Sequence, residues 1–194
     1  MEEAKIIAGN TRQEVWQQIE QDFTHNPDLF EYSAILEEQG RSVALDIDID
    51  LGGGFEGGYA LTRFVAKLKS FDDLQFSLHR QDFVDGVGKL FGMQDIKIGY
   101  DDFDKEIVVK TNKPEHLKVI LADAVVRKAI LSLPDFNFHI GHHHSSNTAV
   151  ESAFLELRID EGITNPQKLR DIYNAFVLVL DKVELDNTSI IKYL

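Results

Sequence analysis

The chain of 194 residues contains no cysteine. That absence excludes disulfide scaffolds, thiolate metal centres, paired-cysteine redox chemistry and cysteine nucleophiles. Basic residues are also scarce: 20 lysines and arginines stand against 33 aspartates and glutamates, for a net charge of −13. A polyanion is repelled on average, and no basic stripe interleaved with aromatics overrides that balance. Nucleic acid and anionic membrane surfaces are therefore not expected as partners. Long apolar runs are missing as well. The longest, Ala175 to Leu180, falls far below the roughly 20 residues of a membrane span. The opening Met1-Glu2-Glu3-Ala4-Lys5 has no apolar stretch of the kind a signal peptide needs. Direct membrane insertion is not expected, and a cytoplasmic location is. Prolines number only four, and each falls at an expected element boundary: Pro27, Pro114, Pro134 and Pro166.

What is present is an ordinary globular composition, 43% hydrophobic and 27% charged. The length predicts one domain over residues 1–194, large enough to bury a core without staples. Thr11-Arg12-Gln13-Glu14 has the form of a capping box, and Val15, Trp16, Ile19 and Phe23 share one helical face, predicting an amphipathic helix over about 11–23. A strand is expected from Phe30 to Glu38, with Gly40 at the turn. Arg41 to Leu51 then alternates strictly: Val43, Leu45, Ile47, Ile49 and Leu51 against Ser42, Ala44, Asp46, Asp48 and Asp50. Gly52 to Gly58 holds five glycines in seven residues and is expected to be a hairpin loop. Strands at Tyr59–Leu68 and Leu74–Leu78 follow, then a short, weakly specified helix from Asp82 to Gly92.

Ile96 to Glu115 predicts two short strands around an acidic turn, with Phe103 plugged into the core and Asn112 as the cap of the next helix. Leu117 to Ala124 forms that helix, and Val125 to Leu133 is a second helix or a bent extension of it. Phe136, Phe138 and Ile140 alternate as a strand running into a loop at Gly141 to Asn147, with a partner strand over about 150–159. Asn165-Pro166 starts a long helix over about 166–184, whose Leu169, Ile172, Tyr173, Phe176, Val179, Leu180 and Val183 make an unbroken apolar stripe. The fold class is α+β: a mainly antiparallel sheet of about six or seven strands with helices packed mostly on one face.

Residues 92–99 and 103–112, followed by the proline-containing cap and Leu117 to Leu121, resemble an uncharacterised bacterial family, a domain of unknown function. The resembling pieces are a glycine–acid–isoleucine strand, a Phe-Asp-Lys turn and a strand end leading into a capped helix. The resemblance implies one α+β domain and, because relatives often carry two membrane-spanning helices ahead of it, a membrane-associated setting. This chain departs from that pattern, having an amphipathic helix and a sheet where the spans would be. No activity or catalytic residue is implied.

Four patterns could carry chemistry. His139, His142 and His144 could offer imidazoles to zinc, nickel or copper, although consecutive histidines in a Ser/Asn-rich stretch more often occupy a solvated hairpin tip. Asp46, Asp48 and Asp50 could hold calcium or magnesium, but an extended strand spaces them about 6.5–7 Å apart, which suits a solvated sheet face better. Asp101, Asp102 and Asp104 crowd a turn, where aspartates commonly bond their own backbone. The Gly52–Gly58 loop lacks the lysine and hydroxyl of a phosphate-binding loop. With no assembled catalytic constellation, the expectation leans away from an enzyme and towards a non-catalytic binding or interaction module. No cofactor is expected. The alternatives are a metal-dependent hydrolase built on the histidines, and a soluble relative of a membrane-anchored module that binds a protein partner through the Asp46–Asp50 face.

Overall fold

The computed structural model describes residues 4–27, 29–53, 57–69, 73–81, 92–144 and 151–190, with backbone alone at 142–144, 151 and 185–190. Among these residues nine strands form one sheet: β1 Lys5–Gly9, β2 Glu31–Glu38, β3 Arg41–Asp50, β4 Tyr59–Lys67, β5 Phe76–Arg80, β6 Gln94–Ile96, β7 Ile107–Thr111, β8 Phe136–His144 and β9 Glu151–Ile159. Their order is β1-β2-β3-β4-β9-β8-β5-β7-β6. All pairs are antiparallel except β1 with β2. The helices are α1 Arg12–His25, α2 Asp101–Glu106, α3 Pro114–Leu121, α4 Ala124–Leu131 and α5 Pro166–Ile190. The α+β class stands, while the sheet is wider than the six or seven strands expected from sequence.

The helices touch one another in one layer: α1 packs on β1, β2 and α5, α5 meets β4, α3 and α4, and α2 meets β7 and α4. The strand alternation read from sequence supplies the other wall of the core. Val43, Leu45 and Ile47 are buried, whereas Ser42, Ala44, Asp46, Asp48 and Asp50 lie on the far face. Phe64, Phe138 and Phe176 stack at the centre, with ring centroids 5.8 Å and 5.9 Å from Phe176. No described helix is long and apolar enough to cross a membrane.

Three local expectations are corrected. The short edge strand β1 was not expected: its adjacent Ile6 and Ile7 give no alternation to read, and pairing with β2 decides it. The Asp101–Asp104 segment is the one-and-a-half-turn helix α2 rather than a turn between strands. Three aspartates at a helix start agree with the dipole, which is why the same residues suit either structure. Within it Phe103 is fully buried, and the Asp104 carboxylate accepts from the backbone N–H groups of Ile98 and Gly99 at 2.9 and 2.8 Å. Asn112 does not cap α3. Its Oδ1 accepts from Gln75 N at 2.8 Å and its amide donates to Asp73 O at 2.6 Å, so it ties the entry of β5 to the exit of β7. The expected helix at Asp82–Gly92 falls almost wholly outside the described residues.

Candidate functional site

Among the described residues an open cleft of about 720 Å³ lies at the carboxyl ends of the parallel pair β1 and β2, bordered by Gly9, Asn10, Glu14, Glu37, Glu38 and Arg41. Its position follows from local structure. β1 ends at Gly9 and the chain turns at once into α1. A side chain at Gly9 would place Cβ 2.9 Å from Glu14 Cβ, so only glycine lets strand and helix approach this closely. The capping box forms as read from sequence on one side: Thr11 Oγ1 accepts from Glu14 N at 3.3 Å. Glu14 reaches back one residue further than the motif requires, accepting from Asn10 N at 2.9 Å. The helix start is thus closed by its own side chains.

The opposite lip is the β2–β3 turn. Gln39 (φ 51°) and Gly40 (φ 72°) are both left-handed, as a two-residue turn between twisted antiparallel strands demands. Glycine adopts this freely and glutamine does not. Glu38, just before the turn, is 3% exposed. Arg12 Nε donates to its two carboxylate oxygens at 2.9 and 3.3 Å, and Arg12 Nη1 donates to Asn174 Oδ1 at 3.1 Å. The Arg12 guanidinium also lies over the Tyr173 ring, 5.8 Å from its centroid. Burial, with the Glu38 carboxylate beside it, holds the Tyr173 hydroxyl well above the ordinary tyrosine range, so it stays protonated. Arg41 donates from Nη2 to Asp181 of α5. Its Nε is buried and has no hydrogen-bond partner.

Arg12 and Arg41 are each bound to a carboxylate, and the lining includes the hydroxyl of Ser42 but neither lysine nor histidine. Sequence reasoning missed this site. One signal was available: Glu38 shares the parity of Tyr32, Ala34 and Leu36, which predicts an inward-facing carboxylate in need of a cation.

The sequence-predicted sites fare differently. The backbone of His142, His143 and His144 continues β8, paired with Ala153, Ser152 and Glu151, instead of entering a loop. Ladder pairing satisfies these backbone groups, which polarity alone did not reveal. The rest of the expected loop, 145–150, and the side chains of 142–144 lie outside the described residues. Position 139 has the opposite strand parity to 142 and 144. Among the described residues no three histidine or carboxylate groups are placed to share an ion. His139 lies in register between Ser77 and Glu156 across β5, β8 and β9. Ser77 is fully buried in mid-strand, so this serine–histidine–carboxylate row offers no access to a substrate. Asp46 accepts from Ser33 and Arg63, Asp48 from Tyr59, and Asp50 from Gly52 N, so the aspartate ladder is engaged in local contacts. The Tyr59 hydroxyl is raised by that Asp48 bond. Gly52, Gly53, Gly57 and Gly58 flank 54–56, which are outside the described residues.

No family model matches the chain, and no curated protein does. Among solved structures, the crystal structure of the mycobacterial trehalose monomycolate transport factor A, TtfA, is similar to it. The two are 8% identical, with a TM-score of 0.48 over 86% of this chain and 82% of that one. The resemblance of residues 92–121 to an uncharacterised family thus rests on its short motifs alone.

Proposed function

We propose that the protein is a non-catalytic binding module whose ligand sits in the cleft between the start of α1 and the β2–β3 turn. The observation that supports this is the pairing of the charges around the cleft, of which Glu38 is buried. Glu38 is held by Arg12, and Arg41 by Asp181 on the longest helix, so the walls are rigid and preorganised rather than poised for proton or group transfer. A concave site with a few convergent polar groups at strand ends is where α/β units commonly receive ligands. The test is a chemical-shift screen of ¹⁵N-labelled protein against cationic, neutral and anionic small molecules. Binding should move the amide signals of Gly9, Asn10 and Gly40 together. A screen in which no compound of any charge moves them defeats this reading, as does turnover of a bound compound.

A further inference from the structure

Two further cavities meet between α4 and α5, and they share no lining residue with the cleft. The outer one is a groove of about 500 Å³ bordered by Ala129 and Ser132 of α4, Asn165 just before α5, and Lys168, Asp171 and Ile172 of α5. The inner one is a void of about 10 Å³ walled by Val126, Ile130, Leu133, Phe138, Leu157 and Phe176, apolar throughout. Ala129 and Ile172 line both, so these two side chains form the partition between them. Ala129 on α4 and Ala175 on α5 are the shortest side chains of the void's lining, and they leave open the space that leucine, isoleucine and phenylalanine close elsewhere. A cavity walled by carbon stays dry, so an apolar group is what gains by filling it.

The rim of the groove selects against charge. Lys168 Nζ donates to both carboxylate oxygens of Glu161 at 2.8 Å, so its cation is already matched. Ser132 Oγ donates to Ala129 O at 2.7 Å, and Asn165 Oδ1 accepts from Lys168 N at 2.9 Å. Asp171 accepts from Gln167 Nε2 at 2.9 Å and keeps its negative charge. An anionic head would give up hydration here, find its cation taken and face Asp171. A cationic head would gain little, because Asp171 is exposed. We propose that the α4–α5 groove binds a short aliphatic chain with an uncharged polar head, of the class of straight-chain alcohols. The chain lies along the groove, its terminal methyl turns Ile172 aside and enters the void, and the hydroxyl stays at the polar rim. The groove volume is within the range of small-molecule sites, and burial of methylenes against Ala129 and Ile172 supplies the affinity. This site is independent of the reading of the cleft.

The experiment is a titration of the full chain, ¹³C-labelled at isoleucine and leucine methyls, with 1-propanol, 1-hexanol, hexanoate and hexylamine. Hexanol should move the signals of Ile130, Ile172 and Leu133 saturably. It should bind at least about tenfold more tightly than propanol, since each of its three extra methylenes is worth about fourfold when buried. Hexanoate should bind at least about tenfold more weakly than hexanol, and hexylamine no more tightly than hexanol. Ala129→Leu thickens the partition at a half-buried position where leucine suits a helix, and it should remove hexanol binding with an unaltered thermal transition. Ala175→Val fills the void from the other helix and should reduce the advantage of hexanol over propanol, which provides a second check if Ala129→Leu does not fold. Equal binding of hexanoate, or tighter binding of hexylamine, overturns the uncharged class. Undiminished hexanol binding by both variants overturns the site, as does the failure of every probe to shift these methyls saturably.

Discussion

Gln39 occupies a conformation that glycine and asparagine adopt far more readily, with φ at 51° next to Gly40 at 72°. The turn type requires both residues to be left-handed, so the strain is imposed by the register of β2 on β3 and not by Gln39 itself. Gln39→Asn should raise stability by about 0.5–1 kcal/mol in urea unfolding, because asparagine tolerates this region at lower cost. A decrease would mean that the glutamine side chain makes a compensating contact. At this scale much was legible in the sequence. Phe103 as a core plug and Thr11 with Glu14 as a cap pair follow from residue type and spacing. What was not legible was partner choice across the chain: Arg12 meets Asn174 and Arg41 meets Asp181, contacts that only the assembled helix layer creates.

At the scale of elements, α4 shows how a cap separates two helices that sequence periodicity left undecided. Leu117 and Ile120 share an apolar face, as do Val126 and Ile130, with nothing in the pattern to break them apart. The break is Asp123, whose carboxylate accepts from Val125 N at 2.9 Å and from Lys182 Nζ at 3.2 Å. Burial alone would raise its pKa, but the Val125 N–H and the Lys182 ammonium outweigh it and hold the carboxyl below its usual range. A folded pKa below the unfolded one means that the contribution is present above the ordinary carboxylate pKa and fades as pH falls through the lower folded value. Asp123→Ala should therefore cost about 1 kcal/mol at neutral pH, and the gap to wild type should close on titration below about pH 4. A gap that persists at pH 2 would assign the loss to packing. Strand β8 is the counterpart case. Its backbone runs on through His144, so His139, His142 and His144 belong to one strand. A zinc titration monitored by thermal unfolding should raise the transition of wild type no more than that of a His142→Ala, His144→Ala double variant. A stoichiometric rise confined to wild type would make those histidines ligands.

For the whole molecule, the helix layer and the sheet meet in an aromatic centre where Phe176 of α5 contacts Phe64 of β4 and Phe138 of β8. Phe176 is 1% exposed, so Phe176→Ala should cost about 3–5 kcal/mol and lower the urea midpoint with little change in slope. A loss below about 1 kcal/mol would show that the centre can collapse into the gap. The apolar stripe of α5 announced this role in the sequence, whereas the sheet order did not. The edges of that sheet are guarded. On β1, Gln18 donates to the Ala8 carbonyl at 2.9 Å and Lys5 is tied to Asp22, while β6 spans only three residues.

The order of the strands also divides the sheet by history along the chain. β1 to β4 come from residues up to Lys67, and the remaining strands come from Phe76 onward, so the two halves touch along β4 and β9 alone. Lys67 and Phe154 face each other there although about 90 residues separate them. Each half contains hairpins that can form from nearby residues, but joining them closes a large loop before any pairing energy returns. That seam is where slow folding should be concentrated. Weakening it, for example at Leu157, should retard folding more than an equal destabilisation within the β2–β3 hairpin. The early strands would then be able to pair while their edge awaits β9, and the cleft, though lined from β1, α1, β2 and β3, would reach its final form only when α5 brings Asn174 and Asp181 to Arg12 and Arg41.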